Sequence, residues 1–282
     1  MVLIAESGST KTQWCSLKDG KLAMRVNTPG INPFLLSVDE MECAFRPVTA
    51  DLETAGVRKI FFFGAGCSLV PTREKVGKAL NMLFPNASLL IDSDLVAACL
   101  ALSGEKPGIV ALLGTGSNSC LWDGRAIINQ VPSLGYILGD EGGGVSMGKV
   151  LVSDFLKNQM PLHLRIQFME RYDVSTSLVL ERVYQKPMPN RFLASFAPFL
   201  EMHIDDEYCQ KIIQQQFQKF VIRNLLSYQQ YDELESHFCG SIAWGFRAIL
   251  QQVCREYSIR IGKVEKEPIA KLAQYLKEKE IS

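Results

Sequence analysis

The sequence predicts an α/β protein of two domains built on one plan, and three observations carry that prediction. Apolar strand-like runs alternate with stretches of helical periodicity through the first hundred residues. The opening LIAESGSTKTQWCSLKDGKLAMRV returns in pattern as GIVALLGTGSNSCLWDGRAIINQ: apolar strand, small-residue turn, strand, Asp-Gly, strand. Junctions from strand to small residues occur at ESGST (6–10), GAGCS (64–68), GTGSN (114–118) and CGSIA (239–243).

Each element follows from its residues. VLIA and TQWCSL are strand-like, Asp19-Gly20 is a hairpin turn signal, and KLAMRVN continues as a third strand. Helical periodicity covers about 38–56. KIFFFGAGCS reads as a buried strand ending in small residues, TREKVGKALNMLF as helix, SLLID as strand and Leu95 to Leu102 as helix. The second copy starts near residue 105. Beyond about 140 the pattern is mostly helical, with a long amphipathic stretch over 205–230 and its Gln-rich polar face. HFCGSIA reads as a late strand leading into helix AWGFRAILQQVCREY. PIAKLAQYLKEKE closes as a helix with proline tolerated in its first turn.

The totals narrow the classes. Hydrophobic residues make up 47% of 282, enough for sizeable cores and against disorder. Lysine plus arginine equals aspartate plus glutamate, 30 each, which gives no support to nucleic acid as a partner. No apolar stretch approaches the ~20 residues of a membrane helix. MVLIAESGST lacks the basic and apolar regions of a signal peptide, so the expected location is cytoplasmic, with no membrane partner. The eight cysteines show no CxxC and read as buried small hydrophobes. The three histidines show no metal-ligand spacing.

Small-residue turns expose backbone N–H groups that make anion-binding concavities, although glycine also serves ordinary tight turns. There is no GxxxxGK[ST] and no GxGxxG before a helix, so a nucleotide would be held in another way.

The pair ESGSTKT and LLGTGSNS resembles the two phosphate-binding hairpins of the actin-like ATPase superfamily, and CGSIA resembles its adenosine loop. GYILGDEGGG (135–144) is similar to a segment of N-acetylglucosamine kinases and their BadF/BadG-type ATPase relatives, and NTPGINPF, GAGCS and DLVAA fit the same family. These motifs run in order from residue 3 to about 245. The resemblance implies two actin-like ATPase (ribonuclease H-like) domains with a central cleft. The first would take 1–105 plus 266–282, and the second 106–265 with helical insertions. It implies ATP-dependent phosphorylation of N-acetylglucosamine or a related amino sugar, with ATP and Mg2+ as cofactors. The partners would be the sugar and ATP, and a homodimer stays open.

Roles follow residue by residue. Asp94 falls where these kinases keep the aspartate that accepts the proton of the attacking sugar hydroxyl. Read from the residues alone, it is equally a helix N-cap, and Asp92 is its local competitor. Gly8, Ser9, Thr10, Lys11 and Thr12 match the first phosphate turn, where Lys11 is alternatively a solvated strand charge. Gly114, Thr115 and Gly116 match the second turn, and Gly240 and Ser241 the adenosine loop. Asn32, Asn118, Gly135, Tyr136 and Asp140 match sugar-contacting positions. Asp140 and Glu141 also stand where a helix could be capped, Asn32 on a flexible-looking loop. Trp244 is expected to pack in the helix–sheet core. Glu6 stands where many relatives carry aspartate near the metal, and is expected to be an outer-shell magnesium partner. Tyr136 and Lys271 depart from the family's tryptophan and glycine. Two alternatives share the family: an activator ATPase of the 2-hydroxyacyl-CoA dehydratase type, which would need paired cysteines for an iron–sulfur cluster, and a non-catalytic sugar- or nucleotide-binding regulator.

Overall fold

The computed structural model describes residues 1–8, 10–18, 21–50 and 54–281. Ser9 and the Asp19-Gly20 turn lie outside the described residues. The chain divides into two compact units, one of residues 1–106, 123–127 and 267–282, the other of 107–122 and 128–266.

The first unit opens with β1 (Val2–Ser7), β2 (Lys11–Lys18) and β3 (Lys21–Pro29). Then come α1 (Val38–Phe45), β4 (Lys59–Gly64), α2 (Val70–Leu83), β5 (Ser88–Ser93) and α3 (Asp94–Leu102). The sheet order is β3-β2-β1-β4-β5. β1 pairs antiparallel with β2 and parallel with β4, so its backbone is satisfied on both sides. The helix expected over 38–56 stops at Phe45 and tightens into a 3-10 turn at Arg46–Thr49. Pro47 lacks the N–H that an α-helical turn would need there.

Strand alternation sorts the side chains onto two faces. Leu3, Ala5, Trp14 and Phe62 share a core with Phe45 of α1 and Leu80 of α2. Trp14, Phe45 and Phe62 meet with ring centroids 5.5–5.9 Å apart, and the Trp14 indole N–H donates to Thr28 Oγ1 at 3.0 Å. The alternate residues of β1, Ile4 and Glu6, point to the other face.

In the second unit β6 (Gly108–Leu113), β7 (Ser117–Trp122) and β8 (Ile127–Asn129) repeat the hairpin plan. A helical series follows: α4 (Gly135–Leu138), α5 (Gly144–Leu156), α6 (Leu162–Arg171), α7 (Thr176–Tyr184), α8 (Pro189–Ala194), α9 (Pro198–Met202) and α10 (Glu207–Arg223). Then come β9 (Glu235–Cys239), α11 (Ser241–Gly245), α12 (Arg247–Glu256) and β10 (Arg260–Glu265). The expected helix from Ala243 to Tyr257 is thus broken at Phe246, and β10 has no counterpart in the sequence reading. The order β8-β7-β6-β9-β10 reproduces β3-β2-β1-β4-β5 position for position. The repeat in sequence is therefore a repeat in topology. A last helix, α13 (Ile269–Ile281), belongs to the first unit, where it packs on α3, β2 and β1.

Gly148, inside α5, lies against the α8 backbone. A Cβ there would run into the Leu193 carbonyl, with the carbonyl carbon at 2.7 Å. Glycine to alanine in a helix ordinarily stabilises by about 1 kcal/mol. Here the sign reverses: Gly148→Ala should destabilise by about 1–3 kcal/mol, read as a lower urea midpoint. A raised midpoint would contradict the close α5–α8 packing.

Candidate functional site

The first unit gathers three carboxylates at one end of β1. Glu6 is the last side chain of β1 on the face covered by α3 and α13. α3 begins with Asp94, and the segment entering α13 carries Glu267. Glu267 takes hydrogen bonds from Lys11 Nζ and from Gln13 Nε2, the latter at 2.8 Å. Glu6 and Gln13 are direct cross-strand partners, so they stand side by side.

The capping alternative for Asp94 is resolved by its neighbour. Ser93 is the N-cap of α3, its hydroxyl accepting from Val96 N–H at 3.3 Å, and Asp94 is the first helical residue. Asp92, the competitor, accepts the Ser93 N–H at 2.8 Å. Burial pushes the Asp94 carboxyl up to about 6, against the backbone N–H groups of Leu95 and Asp94, which lower it. Burial, and then the negative charge of Asp94, push Glu6 up to about 8, with Lys11 opposing. Such paired, elevated carboxyls describe a place where positive charge is wanted.

The first turn is held by backbone contacts. Gly8 N–H donates to Lys11 O at 3.0 Å and Gly30 N–H to Thr10 O at 3.1 Å. A Cβ on Gly30 would meet Gly8 O at 2.5 Å and Lys11 N at 2.7 Å. The Thr12 hydroxyl, expected to face phosphate, is fully buried instead. It lies 2.7 Å from the Ser7 hydroxyl and donates to Pro29 O at 3.1 Å. Strand alternation explains this: Thr12 shares the face of Trp14, inside the sheet packing. Thr10 and Lys11 remain exposed. Lys11 carries an ion pair with Glu267 and stays exposed on its strand, so the solvated-charge alternative stays open. The loop carrying Asn32 is tied down: Asn32 Oδ1 accepts from Phe34 N–H at 3.0 Å, its carbonyl takes Leu35 and Leu36 N–H, and Lys75 Nζ donates to Pro33 O at 3.0 Å.

In the second unit the turn Gly114–Gly116 is clasped by the GDEGGG segment. Gly144 and Val145 N–H donate to Gly114 and Thr115 carbonyls at 2.8 and 2.9 Å. Gly143 lies on Gly116 so closely that a Cβ would sit 2.6 Å from the Gly116 carbonyl carbon. Asp140 is left-handed (φ 59°) and accepts the Ser117 N–H at 3.1 Å. It caps no helix, because α5 begins at Gly144 after Gly143. Burial raises the Asp140 carboxyl. Glu141 pairs with Arg223 at 2.7 Å. Asn118 Oδ1 accepts from Ser119 N–H and Gln130 Nε2 at 2.9 and 3.0 Å. Gly135 opens α4 at φ +69°, and the Tyr136 carbonyl accepts from Lys149 Nζ at 2.7 Å.

Gly240 has two reasons to be glycine: a φ of +125°, and a Cβ direction blocked by the Leu113 carbonyl. Ser241 is exposed beside it. A cavity of about 130 Å³ is lined by Gly114, Thr115, Gly144, Glu201, Ser241 and Phe246. Sequence reasoning missed Glu201, which sits on a short helix with no motif around it. Trp244, expected in the core, is 39% exposed, with the Arg247 guanidinium 5.0 Å over its ring.

Glu6, Asp94 and Glu267 share one end of β1, but among the described residues no three metal-ligating side chains come close enough to hold one ion. Of the cysteines Cys43 alone is exposed, and the other seven are buried. Two carboxylates, Glu6 and Asp94, do fit magnesium, which keeps most of its waters and leans on substrate phosphates. An iron–sulfur ligand set does not fit, because buried, scattered thiols cannot converge on a cluster. No described helix is long and apolar enough to cross a membrane.

Comparison with known structures follows this geometry. A proposed N-acetylglucosamine kinase from Porphyromonas gingivalis is 39% identical, covering 99% of this chain and 100% of its own, with a TM-score of 0.94. A second, from Chromobacterium violaceum, is 18% identical over 98% of each chain with a TM-score of 0.65. A ROK family glucokinase from Streptomyces griseus, solved with glucose and AMPPNP, is 10% identical, covering 100% of this chain and 98% of its own, with a TM-score of 0.54. The last two share the fold alone. No protein-family model and no curated protein matches the chain.

The acid pair sets a pH dependence of stability. Unfolded, Glu6 ionises near its ordinary 4.5; folded, it holds its proton up to about 8. Asp94 behaves alike between 3.8 and about 6. Within these windows the folded state binds more protons, so stability is greatest below them and falls as pH rises. The melting temperature of ligand-free protein should decline from pH 5 to pH 8, and Glu6→Gln should flatten the decline. A melting temperature that climbed over this range would overturn the assignment.

Proposed function

This chain belongs to the N-acetylglucosamine kinase-like family of the actin-like ATPase fold, and from that membership we propose that it transfers the γ-phosphoryl group of ATP to N-acetylglucosamine or a close amino sugar. The observation that carries the reading is Asp94: relieved of capping by Ser93, and with a carboxyl near 6, it is ionised at neutral pH yet basic enough to accept a proton.

On this reading the first turn, with Lys11, and the second turn, Gly114–Gly116, contact the phosphates. Magnesium, when bound with the nucleotide, neutralises phosphate charge. Glu6 would help hold that ion, and Asp94 takes the proton from the attacking sugar hydroxyl as the phosphoryl group leaves ADP. Glu267 holds Lys11 in place until phosphate competes for it. Asn32, Asn118 and Asp140 present acceptors to sugar hydroxyls. Their own backbone hydrogen bonds fix them beforehand, which lowers the ordering cost of binding. The cavity beside Gly240 and Ser241 takes the adenosine end, with Glu201 as an acceptor for ribose hydroxyls.

Sugar-dependent ADP release tests this. Asp94→Asn should lower kcat by about 10²–10⁴ while calorimetric sugar affinity stays close to the parent value. A folded Asp94→Asn with full turnover would remove Asp94 as the base. Glu6→Gln should raise the magnesium concentration needed for half-maximal rate without changing sugar affinity. A collapse of sugar affinity instead would place Glu6 at the sugar.

A further inference from the structure

In the second unit a buried tyrosine hydroxyl ties together segments that lie far apart in the chain. Tyr228 follows the 3-10 turn Leu225–Ser227 beyond the end of α10 and is fully buried. Its hydroxyl lies 2.9 Å from the Ser119 hydroxyl of β7 and accepts the Val131 N–H at 3.2 Å. Ser119 is fully buried as well, so water does not readily take over a bond lost here.

The segment held in this way is the one that leads to the sugar-site residues. It runs from the end of β8 at Asn129 through Val131 to α4, which carries Tyr136. Two further side chains stitch it to β7: Gln130 Nε2 donates to Asn118 Oδ1 at 3.0 Å, and Ser133 Oγ to Ser117 O at 3.2 Å. Strand alternation puts Asn118 and Ser119 on opposite faces of β7, so the segment is pinned from both faces. The stitches differ in kind. Gln130 and Ser133 are exposed, and water can substitute for their bonds. The buried Tyr228 hydroxyl has no such substitute. Past Ser133 the path lies open to solvent, with Leu134, Ile137 and Leu138 56–71% exposed.

Resting on the kinase reading, we propose that Tyr228 is a positioning residue for the acceptor sugar: its hydroxyl fixes the segment 130–134, and with it the placement of Tyr136 relative to Asn118. Being fully buried, Tyr228 acts through this segment and not by touching substrate. Phenylalanine in its place keeps the ring and the core packing, but the Val131 N–H and the Ser119 hydroxyl lose this partner. The segment then samples more conformations, and the sugar has to order it on binding. The loss falls on sugar affinity. The turn Gly114–Gly116 is held by the N–H groups of Gly144 and Val145, a clasp in which Tyr228, Ser119 and Val131 take no part.

The test is steady-state kinetics with N-acetylglucosamine and ATP. Tyr228→Phe should raise the sugar KM at least about 5-fold, with the ATP KM within about 2-fold and kcat within about 3-fold of the parent. Tyr208→Phe controls for a merely structural loss. It removes another tyrosine hydroxyl of the second unit, one that donates to Asp154 Oδ2 at 2.9 Å. It should lower the melting temperature yet leave both KM values within about 2-fold. An unchanged sugar KM in folded Tyr228→Phe overturns the proposal. So does an equal rise in both KM values, or the same rise in Tyr208→Phe. Should Tyr228→Phe not fold, Ser119→Ala carries the test: it takes a partner from the Tyr228 hydroxyl and should raise the sugar KM at least about 2-fold, and no rise overturns the proposal. If the parent phosphorylates no sugar, the kinase reading fails by itself, and hydrogen exchange of the ligand-free proteins decides the role of Tyr228. Faster exchange over 130–134 in Tyr228→Phe, but not in Tyr208→Phe, supports it, and unchanged exchange there overturns it.

Discussion

Backbone packed directly on backbone is the constraint on which the small-residue turns of both units depend. In the first unit Gly30 is pressed on the turn between β1 and β2, where no side chain could fit. In the second, Gly143 and Gly240 press on the turn between β6 and β7 from two sides. Each turn receives N–H donors from the segments laid on it, Gly30 in one case and Gly144 and Val145 in the other. Gly30, Gly116, Gly143 and Gly240 are therefore required from within the protein, whereas a Cβ on Gly8 or Gly114 would meet ordinary contact or open space. The Gly114–Gly116 turn is clasped by the bonds from Gly144 and Val145, and preorganised N–H groups are what anion binding needs.

The acid end of β1 follows from the same topology. A central strand with helices on both faces sends alternate residues to opposite cores. Ile4 and Glu6 go to the side of α3 and α13, so Glu6 meets the first residue of α3 and the residue entering α13. Chain order separates Glu6, Asp94 and Glu267 widely, yet one strand end collects them. Burial then does what sequence cannot display: it raises both carboxyls, Glu6 to about 8 and Asp94 to about 6, so that the two titrate apart.

Much of the fold could be read from the chain because its signals are local. Two hairpins with the same apolar–small–apolar rhythm foretold two sheets, and the matching strand order shows how literal the repetition is. Where reading failed, a non-local contact or a single residue decided. Thr12 looked like a phosphate hydroxyl, but its strand face turns it toward Ser7 and Pro29. Trp244 looked like core, yet lies on the surface under Arg247. RIGKVE lacks clean alternation and was legible only through its pairing with β9.

Asp140 shows why structural and functional readings of a residue need not compete. Its left-handed backbone is tolerated by aspartate better than by most residues. That conformation aims the carboxylate back at the β6–β7 turn, where one oxygen accepts the Ser117 N–H. A carboxylate has about four lone-pair sites, so this hydrogen bond leaves acceptor capacity for a sugar hydroxyl. On the kinase reading, the group that holds the phosphate turn is also one that holds the acceptor. Donor and acceptor are then referenced to the same few atoms. An error of an ångström between them would be costly to the rate, and a shared support reduces it without adding a contact.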